Sequence, residues 1–330
     1  MRSILLAPLH GVTARTFRTC FFRHYEGFSS AIAPFILATP ASATRSSHYK
    51  DLIPPERDGP AVVPQLLGND GPSFIASART LREAGYSEVN WNLGCPYPMV
   101  ANKLRGSGLL PFPDRIDAML ETVFADELFR SGSMALSVKT RLGRISAGEL
   151  GPVMEALNRY PVKSVTIHPR VGTQMYRGSV DLDAFERALA SCTHEVIYNG
   201  DITDERTLLD LERRFPSVRA WMVGRAAVRD PSLAERLASV TGGAGDFEGG
   251  PGATASRQAR FEAFHRDMYK SYRAILSGWS HTLDKMKELW GYWAHDAKDR
   301  AAIIKSISRA QSFADYERAV DLALSRGFPR

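Results

Sequence analysis

A thiol, an amine and several strand-ending polar groups are the residues in this chain able to act together on a bound molecule. Cys95 closes the run Asn92-Leu93-Gly94-Cys95-Pro96, directly after an apolar stretch. A thiol of ordinary pKa, about 8.5, is mostly protonated at neutral pH and can donate a proton unless its surroundings activate it. Lys139 and Arg141 follow another apolar run, and His168 and Arg170 end a third. Asn199-Gly200-Asp201 and Gly224-Arg225 close two more. Glycines there let backbone N–H groups approach an anion, which points to a phosphate-bearing cofactor.

Those positions require elements that bring them to one end. Eight β-rich runs recur over the first 225 residues, at 3–7, 31–35, 62–67, 88–93, 135–141, 164–168, 195–199 and 220–225. Several are almost continuously apolar, as strands buried on both faces are. Helical spacing of apolar residues fills intervals such as 72–84 and 115–124. The expected fold class is α/β, a (β/α)₈ barrel over residues 1–240, with the polar strand ends at its mouth. An open doubly wound sheet is the competing architecture. Residues 241–256 hold six glycines and a proline and read as a linker. Beyond it, 257–278, 281–296, 298–309 and 312–326 read as helices of a small C-terminal domain, 257–330, with Ser312 and Asp315 at an N-terminal cap.

Composition bounds the class. The 330 residues are 44% hydrophobic, with no run long enough to span a membrane. Three scattered cysteines give neither a disulfide framework nor a zinc site, and the eight histidines contain no His-x-His pair, so no metal is expected. A cytoplasmic, soluble protein follows as the expectation. The net charge is +6, and residues 255–330 supply five of those charges, with 14 Lys and Arg against 9 Asp and Glu. A basic helical module on a near-neutral one fits an anionic macromolecular partner, or simply a solvated helical surface.

Eight segments carry a resemblance: APLHGVT (7–13), PQLLGND (64–70), NWNLGCP (90–96), RGSGLL (105–110), SVKTRLG (137–143), IHPR (167–170), YNGDI (198–202) and MVGRAAV (222–228). In this order and spacing the chain resembles the tRNA-dihydrouridine synthases, FMN enzymes that reduce uridine in tRNA. The resemblance implies Cys95 as the general acid toward uracil C5, with hydride from reduced FMN to C6 and NADPH as the electron source. It implies Lys139 beside the flavin N1 and C2 carbonyl, Gln65 at the ring edge, and Pro8, Leu9 and His10 around it. His168, Asn199, Gly200, Asp201, Gly224 and Arg225 would hold the phosphate and ribityl chain. Asn92 would read the uracil edge by donating and accepting, and Arg141, Tyr176, Arg177, Lys285 and Lys287 would contact the RNA.

Departures from the family pattern fall at Leu9, His10 and Val171, and at Lys103-Leu104-Arg105, in a segment expected to form a lid. The opening residues and the length look most like the bacterial C-type subfamily, which acts on position 16. A monomer is expected. The weighed alternatives are a dihydroorotate dehydrogenase-like oxidoreductase of a free pyrimidine, a metal-dependent barrel hydrolase, and a non-catalytic RNA-binding protein.

Overall fold

The computed structural model describes residues 2–43, 45–56, 58–241, 256–326 and 328. Ten strands form one parallel sheet: β1 (Ser3–Leu6), β2 (Ser30–Ile32), β3 (Ile36–Leu37), β4 (Ala61–Val63), β5 (Gln65–Leu67), β6 (Glu88–Leu93), β7 (Ala135–Gly143), β8 (Ser164–Val171), β9 (Glu195–Asn199) and β10 (Ala220–Val223). Their order is β3-β5-β6-β7-β8-β9-β10-β1-β2-β4. Pro64 alone separates β4 from β5, and Ala33-Pro34-Phe35 separates β2 from β3. A proline has no N–H for the ladder, so the expected strand 62–67 is broken in two, and the expected strand 31–35 stops at Ile32 and resumes as β3 just past its predicted end. Hydrogen bonding continues through the breaks: Ala33 N donates to the Val63 carbonyl at 2.9 Å, and Asn90 N to the Pro64 carbonyl at 2.8 Å. Taken as pairs, the broken strands leave eight positions around a closed (β/α)₈ barrel, the architecture the sequence predicts.

Alternation sorts each strand into two faces. Ile4, Leu6, Leu66, Val89, Trp91, Leu93, Leu136, Val138, Val165 and Ile167 point outward into the main apolar core beneath the helices. Inward, the barrel is divided. Leu5, Ala7, Ile32, Ile197, Ala220 and Met222 form a separate apolar cluster on one side. The other side carries buried Gln65, Asn90, Asn92, Ser137 and Thr166. An interior polar group without a partner is costly, so this half must be hydrogen-bonded throughout.

The helices after the barrel run Arg257–Ile275, Gly278–Trp293, Arg300–Arg309 and Phe313–Ser325; the second begins and ends three residues before the expected span, and the others are slightly shorter than expected. Ser312 caps the last, accepting from Asp315 N at 3.1 Å. The expected linker lies almost wholly outside the described residues. Helix Arg257–Ile275 packs against Arg15–His24, where the Phe264 ring meets Phe17, Phe21 and Tyr25 with centroids 6.3, 5.9 and 5.3 Å away. Among the described residues no helix is long and apolar enough to cross a membrane.

A buried polar triad sits within these helices. Trp290 Nε1 donates to the Tyr316 hydroxyl at 2.9 Å, and that hydroxyl shares a hydrogen bond with His265 Nε2 at 2.7 Å. Burial, aided by Arg266, pushes the His265 imidazole down to about 3. Its folded pKa is below the unfolded value of about 6.5, so this group's contribution is complete above that value and is lost as pH falls from there toward 3. Tyr316→Phe leaves both partners unsatisfied and is expected to cost about 1–3 kcal/mol. Denaturant unfolding at pH 7 checks this, and an unchanged midpoint would contradict it.

Candidate active site

The C-terminal strand ends surround a cleft of about 360 Å³, within the range of small-molecule sites. Cys95, Pro8, Leu9, His10, Gln65, Lys139, His168, Asn199, Gly200, Asp201, Gly224 and Arg225 all line it, as do Asn92, Arg141 and Tyr176. Arg177, Lys285 and Lys287 do not. Arg177 is exposed on the loop after β8. Lys285 Nζ donates to the Gly11 carbonyl and pairs with Glu288, while Lys287 Nζ donates to the Ala310 carbonyl at 2.7 Å. Both lysines therefore tie helices in place, because helical phase turns them toward carbonyls of the protein.

Cys95 is held by its own backbone. The Asn92 carboxamide oxygen accepts from Gly94 N and Cys95 N at 3.0 and 2.9 Å, closing a tight turn after β6. The Cys95 carbonyl accepts from Ser107 N and Ser107 Oγ, both at 3.0 Å. A side chain at Gly106 would come within 2.8 Å of the Cys95 Cβ, so this close approach needs glycine. Residues 106–109 are buried against the cysteine. These residues buttress the cysteine turn, next to Lys103, Leu104 and Arg105, which are not buried. Burial raises the thiol pKa, partly opposed by the Tyr97 N–H and Arg141, so Cys95 holds its proton at neutral pH.

Asn92 departs from the role expected of it. Its oxygen serves the turn and its Nδ2 donates to Gln65 at 2.8 Å, leaving one N–H and no free carbonyl edge for a base. Gln65 is likewise engaged, donating to Asn90 at 2.7 Å. Asn199 bridges β9 to β10, donating to the Met222 carbonyl at 2.8 Å.

The electrostatics of the cleft are one-sided. Asp201 is the one carboxylate among the described lining residues, and buried Arg170 grips both its oxygens. Arg170 also donates to His168 Nε2 at 3.1 Å. Arginine only donates, so Nε2 must be the acceptor and the imidazole proton sits on Nδ1. Burial and the cations Arg141, Lys139, Arg170 and Arg225 hold His168 well below its usual pKa, as a neutral donor. Arg141 anchors the loop after β8 through the Val171 and Met175 carbonyls at 3.1 and 2.7 Å, and burial lowers it to about 10. Its guanidinium and that of Arg225 lie 5.4 and 4.4 Å from the Tyr176 ring centroid. Lys139 has no carboxylate partner among the described residues; burial, with Arg141 nearby, brings it to about 7.

Phe35, Tyr97, Arg229 and Tyr292 also line the cleft; the first three escape the sequence reading, whereas Tyr292 is one of the aromatics interleaved with the C-terminal cations, where an RNA contact is weighed against a core position. Phe35 and Tyr97 follow strand ends, a signal open to use. Arg229, whose buried Nε finds no partner, and Tyr292 arrive on helices, and no local motif marks them.

An unpaired buried lysine, an orphaned arginine nitrogen and a neutral histidine donor suit a ligand carrying negative charge. At Gly224 a Cβ would stand 3.3 Å from that of Ala7, so glycine keeps the backbone open at the strand end. These features fit FMN, with its phosphate and its polar ring edge. The family model described as dihydrouridine synthase matches residues 5–295. The chain belongs to that family. Among similar proteins, "tRNA-dihydrouridine synthase B" of Klebsiella pneumoniae is 27% identical over 235 residues, covering 69% of this chain and 68% of the relative. "Probable tRNA-dihydrouridine synthase" of Rhodobacter capsulatus is 28% identical over 252 residues, covering 74% and 73%. The C-type resemblance of the opening residues has no counterpart in these names. Morphinone reductase superposes at TM-score 0.50 and 10% identity over 72% of this chain and 86% of its own, which shows a shared barrel fold.

Lys139 gives this dihydrouridine synthase site a measurable signature. Its folded pKa is depressed from 10.5 to about 7, so the ligand-free protein gains stability as pH rises through that window. Lys139→Met is expected to raise the melting temperature of ligand-free protein at pH 7 by a few degrees. The same change should weaken FMN binding at least tenfold, read by flavin fluorescence quenching. A variant with lower melting temperature and unchanged FMN affinity would contradict this.

Proposed function

We propose that the chain reduces a uridine of tRNA to 5,6-dihydrouridine. The observation that carries this is Cys95: a buried, protonated thiol fixed at a strand end of a dihydrouridine synthase barrel, facing a cleft built for an anionic ligand. Bound FMN, reduced by NADPH, would supply the hydride to uracil C6. Cys95 Sγ would deliver the proton to C5, completing addition across the double bond.

The other residues orient and stabilise. Lys139, protonated once an anion lies beside it, supplies the fixed cation for a reduced flavin ring. Gln65 and Asn92 each offer one remaining amide N–H. His168 Nδ1–H, Gly200, Gly224 and Arg225 would receive the phosphate and ribityl end. Asp201 acts through Arg170 in this account, holding the arginine that fixes the His168 tautomer. Tyr176, stacked under Arg141 and Arg225, offers an aromatic face to a uridine turned out of its stack.

Residues 257–330 would form the tRNA-holding domain. Of the aromatics there, Tyr272, Trp290 and Trp293 belong to the core, so exposed Trp279 and cleft-lining Tyr292 are the rings able to meet RNA. Arg266, Lys270 and Arg273 are exposed on helix Arg257–Ile275 and supply cations for phosphates.

Cys95→Ala is expected to slow single-turnover reoxidation of the reduced, FMN-loaded protein by unmodified tRNA by about 10²–10⁴-fold, with FMN binding retained. In the wild type the rate should hold through neutral pH and fall only above the ordinary thiol range, because burial raises the Cys95 pKa. Reoxidation that survives in Cys95→Ala, or that occurs only with a free pyrimidine, would overturn the proposal.

A further inference from the structure

The amide groups beside the cysteine belong to a chain of hydrogen bonds that runs down the barrel interior to the N-terminal ends of the strands. Glu88, at the start of β6, accepts from Ser137 Oγ at 2.7 Å, while Lys163 holds its other oxygen. Ser137 Oγ accepts from Asn90 Nδ2 at 3.0 Å. The Asn90 oxygen accepts from Gln65 Nε2 at 2.7 Å, and the Gln65 oxygen from Asn92 Nδ2 at 2.8 Å. Asn92 then receives the Gly94 and Cys95 N–H groups. The register makes this continuous: Gln65 lies beside Asn90, and Asn90 beside Ser137, across β5, β6 and β7.

Direction is the informative property. A carboxylate at the lower end only accepts, and backbone amides at the upper end only donate. Every carboxamide between them is therefore confined to one of its two flips, since reversing any one sets like groups against each other on both sides. The consequence at the cleft is that Asn92 keeps one spare N–H and no spare acceptor site, while Gln65 keeps one N–H and one acceptor site whose places are fixed.

We propose that Glu88, Ser137 and Asn90 are positioning residues: from below the cleft they fix which edge Gln65 and Asn92 present to the ligand and hold the Cys95 turn. The part concerning the ligand rests on the reading of the cleft as an FMN site. An N–H facing the ring favours its electron-rich, reduced state; a carbonyl disfavours it. The part concerning the turn is independent of any cofactor.

The test uses the full chain with Asn90→Ala, Ser137→Ala and the hydroxyl-retaining Ser137→Thr. In FMN-loaded protein, Asn90→Ala and Ser137→Ala are expected to shift the midpoint potential of the bound flavin downward, with Ser137→Thr matching wild type. In FMN-free protein, the two alanine variants should have Cys95 alkylated by iodoacetamide at least threefold faster, followed at the Cys95 peptide by mass spectrometry. Should Asn90→Ala fail to fold, Ser137→Ala carries both comparisons. Alanine variants that lose only thermal stability, with potential and alkylation rate as in wild type, would overturn the proposal. A wild-type protein that bound no FMN would remove the reading of the cleft, and the alkylation comparison would still decide whether the chain holds the turn.

Discussion

Polar side chains inside a closed barrel must satisfy one another, and that constraint organises this site. The interior of β9, β10, β1 and β2 is apolar, but that of β5, β6, β7 and β8 is not. Within the polar half Ser137, Asn90, Gln65 and Asn92 pair in series above Glu88, and Arg170 pairs with Asp201, so their orientations are set before any ligand arrives. The Asn92 turn that holds Cys95 and the Arg170–Asp201 pair that sets His168 are two results of the same rule. Lys139 is the exception: a cation in the cleft with no carboxylate to meet it. An otherwise satisfied interior makes that exception a specific invitation to an anion.

The site also shows stability being traded for chemistry. An isolated lysine is a poor choice for the ligand-free fold, and a hydrophobic residue would pack better at that position, whereas a neutral thiol is readily buried. Burial keeps the thiol protonated, as a proton donor must be, and makes the lysine sensitive to the charge beside it. The core under the helices carries the compensating stability, joining the barrel's outer face to the C-terminal helices through Phe264 and its neighbours.

Much of this was legible in the sequence because strand ends are local features. Apolar runs gave the eight strand positions, and the residues that follow them are the cleft residues from Pro8 to Arg225. The rest depended on information that is not local. Pro34 and Pro64 split two strands without opening the barrel, since neighbouring carbonyls and amides carry the ladder past them. Lys285 and Lys287 stand on a helix whose rotation only its packing decides, and both turned to backbone carbonyls. Tyr292 reaches the cleft from that same helix, about two hundred residues after Cys95 in the chain. Asn92 was placed correctly, but its partners, and so the edge it presents, required the register of β5 against β6. The family resemblance, carried by eight ordered segments, agrees with the family model over residues 5–295.

The proposed function requires this cleft to couple a flavin to a uridine in RNA. The visible spectrum of the wild-type protein loaded with FMN, reduced by NADPH without oxygen and then mixed with unmodified tRNA, tests that coupling. Return of the oxidised flavin bands with tRNA is expected, matched by appearance of dihydrouridine in the RNA. Bands that return with a free pyrimidine or a quinone but not with tRNA, or a protein that takes up no FMN, would contradict it.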